Sequence, residues 1–253
     1  MSGAKKTRLD LLVVERGISP SRERARAYIL AGRILANEQK VDKPGAQVPA
    51  DAVLRLLGDE LRYVSRGGLK LEGALDTWKI SAEGRWGLDV GASTGGFTDC
   101  LLQHGARRVT AVDTGFGQIA MKLRQDARVR LVERTNARLL EPGALLDADG
   151  TGPELMAMDV SFISATLVLP AVFAATTTLA EAVILVKPQF EAGREHVGKG
   201  GIVRDPEAHR LAIDRVAECV RELGWQVAGT IDSPITGAEG NREFLLWARK
   251  RSE

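Results

Sequence analysis

The stretch Leu88-Asp89-Val90-Gly91-Ala92-Ser93-Thr94-Gly95-Gly96-Phe97-Thr98 decides the fold that the sequence predicts. It continues a predicted strand, Trp86–Val90, and leads into a helical pattern that runs to Gln103. Glycines let the backbone turn sharply and approach a ligand closely, and the helix N-terminus offers free N–H groups. The next predicted strand ends in Asp113, where a carboxylate can bind ribose hydroxyls. Together these features indicate a cofactor that contains a nucleoside.

The spacing of the glycine-rich loop narrows the choice of cofactor. It reads G-x-S-x-G-G, which is neither the G-x-G-x-x-G dinucleotide fingerprint nor a triphosphate-binding loop. Asp89 would repel a pyrophosphate but can accept a hydrogen bond from an ammonium group. S-adenosylmethionine has an amino-acid tail and no phosphate, so the loop favours it over a dinucleotide, and an ordinary glycine-rich turn is the structural alternative. The candidate cofactor-binding residues are Asp89, Gly91, Ser93, Thr94, Gly95, Gly96, Phe97 and Asp113.

Strands and helices alternate after residue 85. Predicted strands cover 86–90, 108–113, 129–133, 155–159, 182–187, 225–232 and 243–248, and predicted helices include 119–125, 165–175 and 208–223. Such alternation is typical of an α/β fold, a mainly parallel sheet with helices on both faces. We expect a Rossmann-like sheet whose last strand is antiparallel, preceded by a small N-terminal α+β unit.

Four charged residues fall at one edge of the expected sheet. Asp159 and Lys187 end two strands, Lys70 lies on the helix that leads into the sheet, and Glu243 opens the antiparallel strand. Ligands of open α/β sheets bind beyond the carboxyl ends of the strands, so the four residues can converge beside the cofactor. Either lysine could take a proton from a weak nucleophile such as a ribose hydroxyl or stabilise the developing alkoxide. Two surface salt bridges are the alternative, and no metal ion is required.

The N-terminal region is basic although the whole chain is nearly neutral. Residues 1–80 carry 15 Lys and Arg against 10 Asp and Glu, and the remainder carries 20 against 23. This asymmetry indicates either an arm for a polyanion or a chance imbalance. The pattern predicts a helix over Arg8–Gly17 and a second helix capped by Ser21, which places Arg22 and Arg26 one turn apart on the same side.

The composition excludes several other classes of protein. Of 253 residues, 44% are hydrophobic and 27% are charged, which argues against a disordered chain. Cys100 and Cys219 cannot form a disulfide framework, and no apolar segment follows the basic start, so a signal peptide is not expected. The uncharged run Val160–Ala180 is long enough to span a bilayer, but its acidic flanks and Pro170 favour a buried helix.

The histidines and cysteines contribute little to the expected chemistry. His104 and His209 are interpreted as surface residues of helices, and His196 lies in the glycine-rich segment Glu191–Gly201, a candidate mobile lid. Both cysteines fall on apolar helix faces, which predicts a place in the core.

With these residues in view, the chain resembles the TlyA family, often labelled hemolysin A, from about Thr7 to Lys250. The resemblance is carried by six motifs in order. They are Val64-Ser65-Arg66-Gly67-Gly68-Leu69-Lys70-Leu71, Gly91-Ala92-Ser93-Thr94-Gly95-Gly96-Phe97-Thr98, Glu133-Arg134-Thr135-Asn136-Ala137-Arg138, Asp159-Val160-Ser161-Phe162-Ile163-Ser164, Val186-Lys187-Pro188-Gln189-Phe190-Glu191 and Gly240-Asn241-Arg242-Glu243-Phe244.

The resemblance implies a ribosomal-RNA 2′-O-ribose methyltransferase that uses S-adenosylmethionine, with cytidine targets. It implies an αL-type RNA-binding domain over residues 1–60, a linker over 61–68 and an FtsJ-like methyltransferase domain over 69–253. The FtsJ-like Lys-Asp-Lys-Glu set carries over to Lys70, Asp159, Lys187 and Glu243, and Asn136 joins the cofactor-binding candidates. The RNA-binding candidates are Arg8, Ser21, Arg22, Arg26, Arg33 and Arg66.

One departure from the αL pattern is visible, and three rival functions stay open. The pattern places Gly after Asn37, where this chain has Glu38, and the extra acid should weaken phosphate contact locally. The rivals are a membrane-active hemolysin, a ribosome-binding or assembly factor without catalysis, and a methyltransferase for small molecules. We expect a cytoplasmic protein that binds ribosomal RNA or ribosomal subunits without inserting into a membrane. A monomer is compatible with the sequence, which does not fix the oligomeric state.

Overall fold

The computed structural model describes residues 6–57, 62–237 and 239–251. The chain divides into two compact units between Arg66 and Gly67, and each has a hydrophobic core of its own. The expected linker begins at Leu61, which lies outside the described residues, and residues 62–66 form neither helix nor strand.

The N-terminal unit is a small α+β structure built on two helices. Its elements are β1 (Lys6–Arg8), α1 (Leu9–Glu15), α2 (Arg22–Leu30), β2 (Ile34–Ala36), β3 (Gln39–Lys40), β4 (Gln47–Pro49) and β5 (Leu54–Leu56). β1 pairs with β4, and β2 lies between β3 and β5, all antiparallel. The Ser21 hydroxyl accepts a hydrogen bond from Arg24 N at 3.2 Å, so the predicted helix cap is confirmed.

The turn at Asn37 and Glu38 keeps a left-handed backbone without glycine. The two residues have φ angles of 51° and 60°. Asn37 Oδ1 accepts from Val53 N at 2.9 Å, and the Glu38 carboxylate pairs with Arg55 at 2.5 Å. The acid that departs from the family pattern therefore engages one of the basic side chains of this unit.

The second unit holds a seven-stranded sheet in the order β11-β12-β10-β9-β6-β7-β8. The strands are β6 (Trp86–Val90), β7 (Arg108–Val112), β8 (Val129–Val132), β9 (Leu155–Met158), β10 (Glu181–Val186), β11 (Trp225–Asp232) and β12 (Phe244–Lys250). The helices are α3 (Gly67–Trp78), α4 (Gly96–Gln103), α5 (Met121–Arg124), α6 (Leu169–Ala175), α7 (Pro188–Glu191) and α8 (Pro206–Glu222). β12 is antiparallel to both neighbours and β6 to β10 are parallel, so the predicted sheet is confirmed.

Helices cover both faces of this sheet because successive strand residues point to opposite sides. Leu88 and Val90 of β6 share a core with α6 and α8. Gly87, which precedes Leu88 and points to the opposite face, lies against Leu101 of α4, whose side chain would lie 2.9 Å from a Cβ added to that glycine.

The helix after residue 165 and the position of His209 differ from the sequence-based expectations. The helix predicted over 165–175 is broken into a 3₁₀ turn, Ala165–Leu167, and α6, because Pro170 has no N–H to continue an α-helix from residue 166. The expectation that His209 lies on the surface is wrong. It is 5% exposed, its Nε2 lies 2.9 Å from Val203 O, and its ring packs against Phe244.

The uncharged run Val160–Ala180 folds into the loop after β9, the 3₁₀ turn and α6. Among the helices that the structure describes, none combines the length and the apolar character needed to cross a bilayer. Cys100 is buried as predicted, whereas Cys219 is only half-buried.

Asp10 gives a test of the N-terminal unit. Its buried carboxylate accepts from Arg8 at 3.0 and 2.9 Å and from Arg22 at 3.0 Å, which lowers its pKa. We expect Asp10→Asn to lower the free energy of unfolding by about 1 kcal/mol at pH 7, a small value because both arginines are partly exposed.

A group with a lowered pKa stabilises the fold above its unfolded pKa, and this contribution is lost as the pH falls through the folded pKa. The difference between wild type and Asp10→Asn should therefore shrink towards pH 3. Both tyrosines lie in residues 1–66, so tyrosine absorbance during urea unfolding reports on this unit. A difference that does not change with pH would contradict the assignment.

Candidate active site

Lys70 and Glu243 form a buried ion pair in the second unit. Lys70 Nζ donates to Glu243 Oε2 at 2.5 Å. The two residues are 7% and 4% exposed, so this pair is not a surface salt bridge. A buried charge without a partner is costly, and each residue therefore fixes the position of the other.

Lys187 forms a second pair immediately after β10. Its Nζ donates to Ser161 Oγ at 2.7 Å and lies 2.5 Å from Asp159 Oδ1, in an ion pair without the alignment of a hydrogen bond. Lys187 is 8% exposed, and the Asp159 side chain is 22% exposed. Ser161 is not among the predicted site residues, although it belongs to the motif that begins at Asp159.

Strand register explains why the two pairs lie on one edge. β9 and β10 are parallel, so Asp159 and Lys187 follow them at the same edge. β12 is antiparallel to β10 and Val186 pairs with Phe244. Lys187 and Glu243 each lie one residue beyond this pair, at the same end of the two strands. This geometry brings together the four residues that the sequence selected.

The glycine-rich loop lies directly against the end of β9. Gly91 has a φ angle of 86°, and a Cβ at that position would lie 2.4 Å from Asp159 O. Only glycine fits both the left-handed backbone and this contact. Gly95 also has a positive φ, 93°, and precedes α4, which begins at Gly96.

Asp89 is the buried acid of this loop. Its Oδ2 accepts from the N–H and the hydroxyl of Thr98 at 2.8 and 2.7 Å, while its Oδ1 is buried without a hydrogen-bond partner. Burial raises the pKa of Asp89 to about 7, against the opposing effect of the Thr98 hydrogen bonds. An unpartnered carboxylate oxygen beside a tight glycine turn fits the ammonium end of an amino acid.

Asp113 ties the end of β7 to the same loop. Its Oδ2 accepts from Ser93 N at 2.8 Å, and its Oδ1 accepts from Gly115 N at 2.6 Å. The carboxylate lines a small pocket together with Ala92, Ser93, Ala111, Gly115, Gln118, Ile119, Leu131 and Glu133. Glu133 follows β8 and accepts from Gly117 N at 2.8 Å. Glu133 is not among the predicted cofactor residues, although an acid directly after the strand that follows Asp113 is a usable signal.

Three other cofactor candidates have structural contacts. Phe97 is buried, Thr94 O accepts from Ala120 N at 3.1 Å, and Asn136 Oδ1 accepts from Arg138 N at 3.1 Å at the start of a 3₁₀ turn. These contacts shape the loop and the segment after β8, and their roles toward a cofactor remain predictions.

The basic residues selected in the N-terminal unit divide into two groups. Arg8 and Arg22 clamp Asp10, and Arg33 donates to Leu57 O at 2.6 Å and lies over the Tyr28 ring. Arg26 is exposed on α2, and Arg66 is half-exposed just before α3. Ser21 serves α2 as its cap, so its expected contact with RNA stays a prediction.

Gly91→Ala tests the close approach of the loop. We expect it to lower the free energy of unfolding by about 2 kcal/mol or more, since the methyl group meets backbone that cannot move aside cheaply. Gly84→Ala is the matched control, because Gly84 has a φ of 68° and nothing within 4 Å of an added Cβ. All four tryptophans lie in residues 67–253, so tryptophan fluorescence during urea unfolding reports on this unit. Equal losses in both variants would contradict the contact.

Asp89→Asn tests the raised pKa of Asp89. A carboxyl with a raised pKa stabilises the fold below its unfolded pKa, and this contribution is lost as the pH rises through about 7. Relative to Asp89→Asn, the wild type should therefore lose up to about 4 kcal/mol of unfolding free energy between pH 4 and pH 8. Parallel urea curves at five pH values measure the difference, and a constant difference would refute the raised pKa.

Comparisons with known proteins identify the family of the chain. A family model described as FtsJ-like methyltransferase matches residues 63–250, and an S4 domain model matches residues 7–54. YqxC of Bacillus subtilis, described as a candidate rRNA methyltransferase, is 49% identical over 243 residues, which cover 96% of this chain and 85% of YqxC. The 16S/23S rRNA (cytidine-2′-O)-methyltransferase TlyA of Mycobacterium tuberculosis is 43% identical over 251 residues, 99% of this chain and 92% of TlyA.

A solved structure extends the likeness to three dimensions. A candidate hemolysin from Streptococcus thermophilus superposes with a TM-score of 0.76 at 44% identity, covering 99% of this chain and 90% of that one. The matched family model spans most of the sequence and includes both ion pairs and the glycine-rich loop. The chain is a methyltransferase of the FtsJ-like family, and it carries an S4 domain at its N-terminal end.

Proposed function

We propose that this enzyme transfers a methyl group from S-adenosylmethionine to a ribose 2′-hydroxyl of ribosomal RNA, at cytidine. The observation that carries the proposal is the pair of buried lysines, each held by a carboxylate, at the sheet edge beside the glycine-rich loop. The relatives named as rRNA methyltransferases support the substrate class, and the name of TlyA supports cytidine.

The residues present fit S-adenosylmethionine. The free Asp89 Oδ1 suits the ammonium group, the backbone at Gly91 allows close approach, and Asp113 and Glu133 line the pocket where ribose hydroxyls would bind. When bound, S-adenosylmethionine supplies an electrophilic methyl group on a sulfonium. Ser93, Thr94, Gly95, Gly96, Phe97 and Asn136 complete the proposed cofactor site.

The two lysines then act on the ribose hydroxyl, which is a weak nucleophile. One lysine, when neutral, accepts the hydroxyl proton as the new O–C bond forms, and the other, as an ammonium, stabilises the negative charge that develops on the oxygen. Asp159 and Glu243 hold the lysine side chains in place, because each carboxylate lies 2.5 Å from its lysine nitrogen. The methyl–sulfur bond would break on the side opposite the attacking oxygen and the sulfur would leave as a neutral thioether, so alignment of the hydroxyl is the main contribution of the protein.

We assign RNA docking to the S4 unit. Arg26 is exposed on α2, and Arg8, Arg22 and Arg33 are at least partly exposed while they brace the fold, so all four can meet phosphates. Arg66 and Ser21 complete the proposed surface. A ribosomal substrate places the enzyme in the cytoplasm. Affinity for RNA should accordingly fall steeply with salt.

Lys187→Ala tests the proposed chemistry. We expect it to slow methyl transfer to ribosomal subunits by about a hundredfold or more, the range of a lost acid–base group, with cofactor affinity retained. Lys250→Ala is the control, since Lys250 is exposed at the end of β12. The measurement is transfer of labelled methyl to purified subunits, with calorimetry for cofactor binding.

Three other outcomes would contradict the role of Lys187 or favour a different function. Transfer by Lys187→Ala at the rate of the control would refute its role. Cofactor binding by wild type without transfer to either subunit would favour an assembly factor, and lysis of red cells by Lys187→Ala protein would favour the hemolysin interpretation.

A further inference from the structure

Glu191 is a buried carboxylate in the segment that begins with Lys187. It is the last residue of α7, four positions after Lys187, and is 2% exposed. Its Oε2 accepts from the Ser164 hydroxyl at 2.5 Å, and its Oε1 accepts from Ala165 N at 2.7 Å. Neither contact belongs to the four residues assigned to the chemistry, so the position of this buried acid needs its own explanation.

The two hydrogen bonds of Glu191 join two segments of the chain, and the interface between these segments is called the seam below. One segment, 159–165, follows β9, and the other, 187–191, follows β10. At the start of the seam Lys187 contacts Asp159 and Ser161. In the middle the rings of Phe162 and Phe190 lie 5.5 Å apart, and at the far end Glu191 holds residues 164 and 165.

The conformation of the segment after β9 depends on its hydrogen bonds to Glu191. Phe162 has a φ of 63°, an uncommon value for an aromatic residue, and is 92% exposed. Backbone of this kind persists only where its surroundings hold it. Glu191 is itself held, because Arg215 of α8 donates to its backbone oxygen at 2.5 Å. Glu191 is therefore fixed to α8, and the segment that carries Ser161 is fixed to Glu191.

We propose that Glu191 is a positioning residue for Lys187. It holds the 161–165 segment so that Ser161 Oγ stays within hydrogen-bond distance of the lysine nitrogen, and so aims that nitrogen at the reacting hydroxyl. The inference rests on the proposed function only in treating Lys187 as catalytic. Ser161 acts on the same nitrogen directly and is the link through which Glu191 works.

Glu191→Ala, in the full-length protein, should lower kcat for methyl transfer at least tenfold, since small misplacements of a catalytic group are costly. KM for the ribosomal subunit and cofactor affinity should stay near wild type. Glu191→Gln keeps an oxygen for Ala165 N and a polar group for Ser164, so it should restore most of kcat. Glu218→Ala is the control, because Glu218 is exposed on α8. Wild-type kcat in Glu191→Ala would overturn the proposal.

A double-mutant cycle separates positioning from general destabilisation. If Glu191 works through Ser161, then Ser161→Ala combined with Glu191→Ala should be no slower than Ser161→Ala alone. Losses that multiply would contradict the link. Should Glu191→Ala fail to fold, Ser164→Ala removes one of the two anchoring hydrogen bonds and should lower kcat in the same direction, and an unchanged kcat there would overturn the proposal.

A readout that needs no methyl transfer distinguishes the two proposals. Isotope-edited NMR of the lysine side chains should show the Lys187 resonance moving alike in Ser161→Ala and Glu191→Ala and unmoved in Glu218→Ala. If these shifts occur but wild type transfers no methyl group, the positioning of Lys187 by Glu191 is supported and the proposed methyltransferase function is refuted. If wild type transfers methyl and Glu191→Ala leaves the Lys187 resonance unmoved, the positioning of Lys187 by Glu191 is refuted and the proposed function is supported.

Discussion

Two lysines buried at one edge of a sheet constrain the rest of the structure. An ammonium group removed from water without a partner costs several kcal/mol, so each lysine requires a carboxylate within reach. Glu243 meets the requirement for Lys70, and Asp159 meets it for Lys187. Because the four residues come from four distant parts of the chain, the pairs form only when α3, β9, β10 and β12 take their correct order and register.

The same order places the glycine-rich loop beside the lysines. β6 lies next to β9, and the backbone at Gly91 packs against the backbone oxygen of Asp159, so the loop contacts the residue whose carboxylate pairs with Lys187. Asp89 and Asp113 then face the loop from the ends of neighbouring strands. The proposed cofactor residues and the proposed reacting groups thus follow neighbouring strands at one edge of the sheet, which suits an in-line transfer between two bound molecules.

Much of this could be read from the sequence because strand ends are visible as changes of chemistry. Asp159 and Lys187 each terminate an apolar run, and an antiparallel last strand puts Glu243 at the same edge. Contacts between loops left no such signal. Ser161 and Glu191 are ordinary polar residues in the sequence, and their roles depend on contacts between the segments that follow β9 and β10. His209 was misplaced for a similar reason, since its partners, Val203 O and Phe244, come from a loop and another strand.

The position of the new methyl group on RNA tests the central claim most directly. Alkali cleaves RNA through the free 2′-hydroxyl, so a methyl group on that oxygen protects the adjacent phosphodiester. Ribosomal RNA labelled by this enzyme and digested with alkali should therefore yield its label in alkali-stable dinucleotides that begin with 2′-O-methylcytidine. Label recovered in mononucleotides, on a base, would contradict the account.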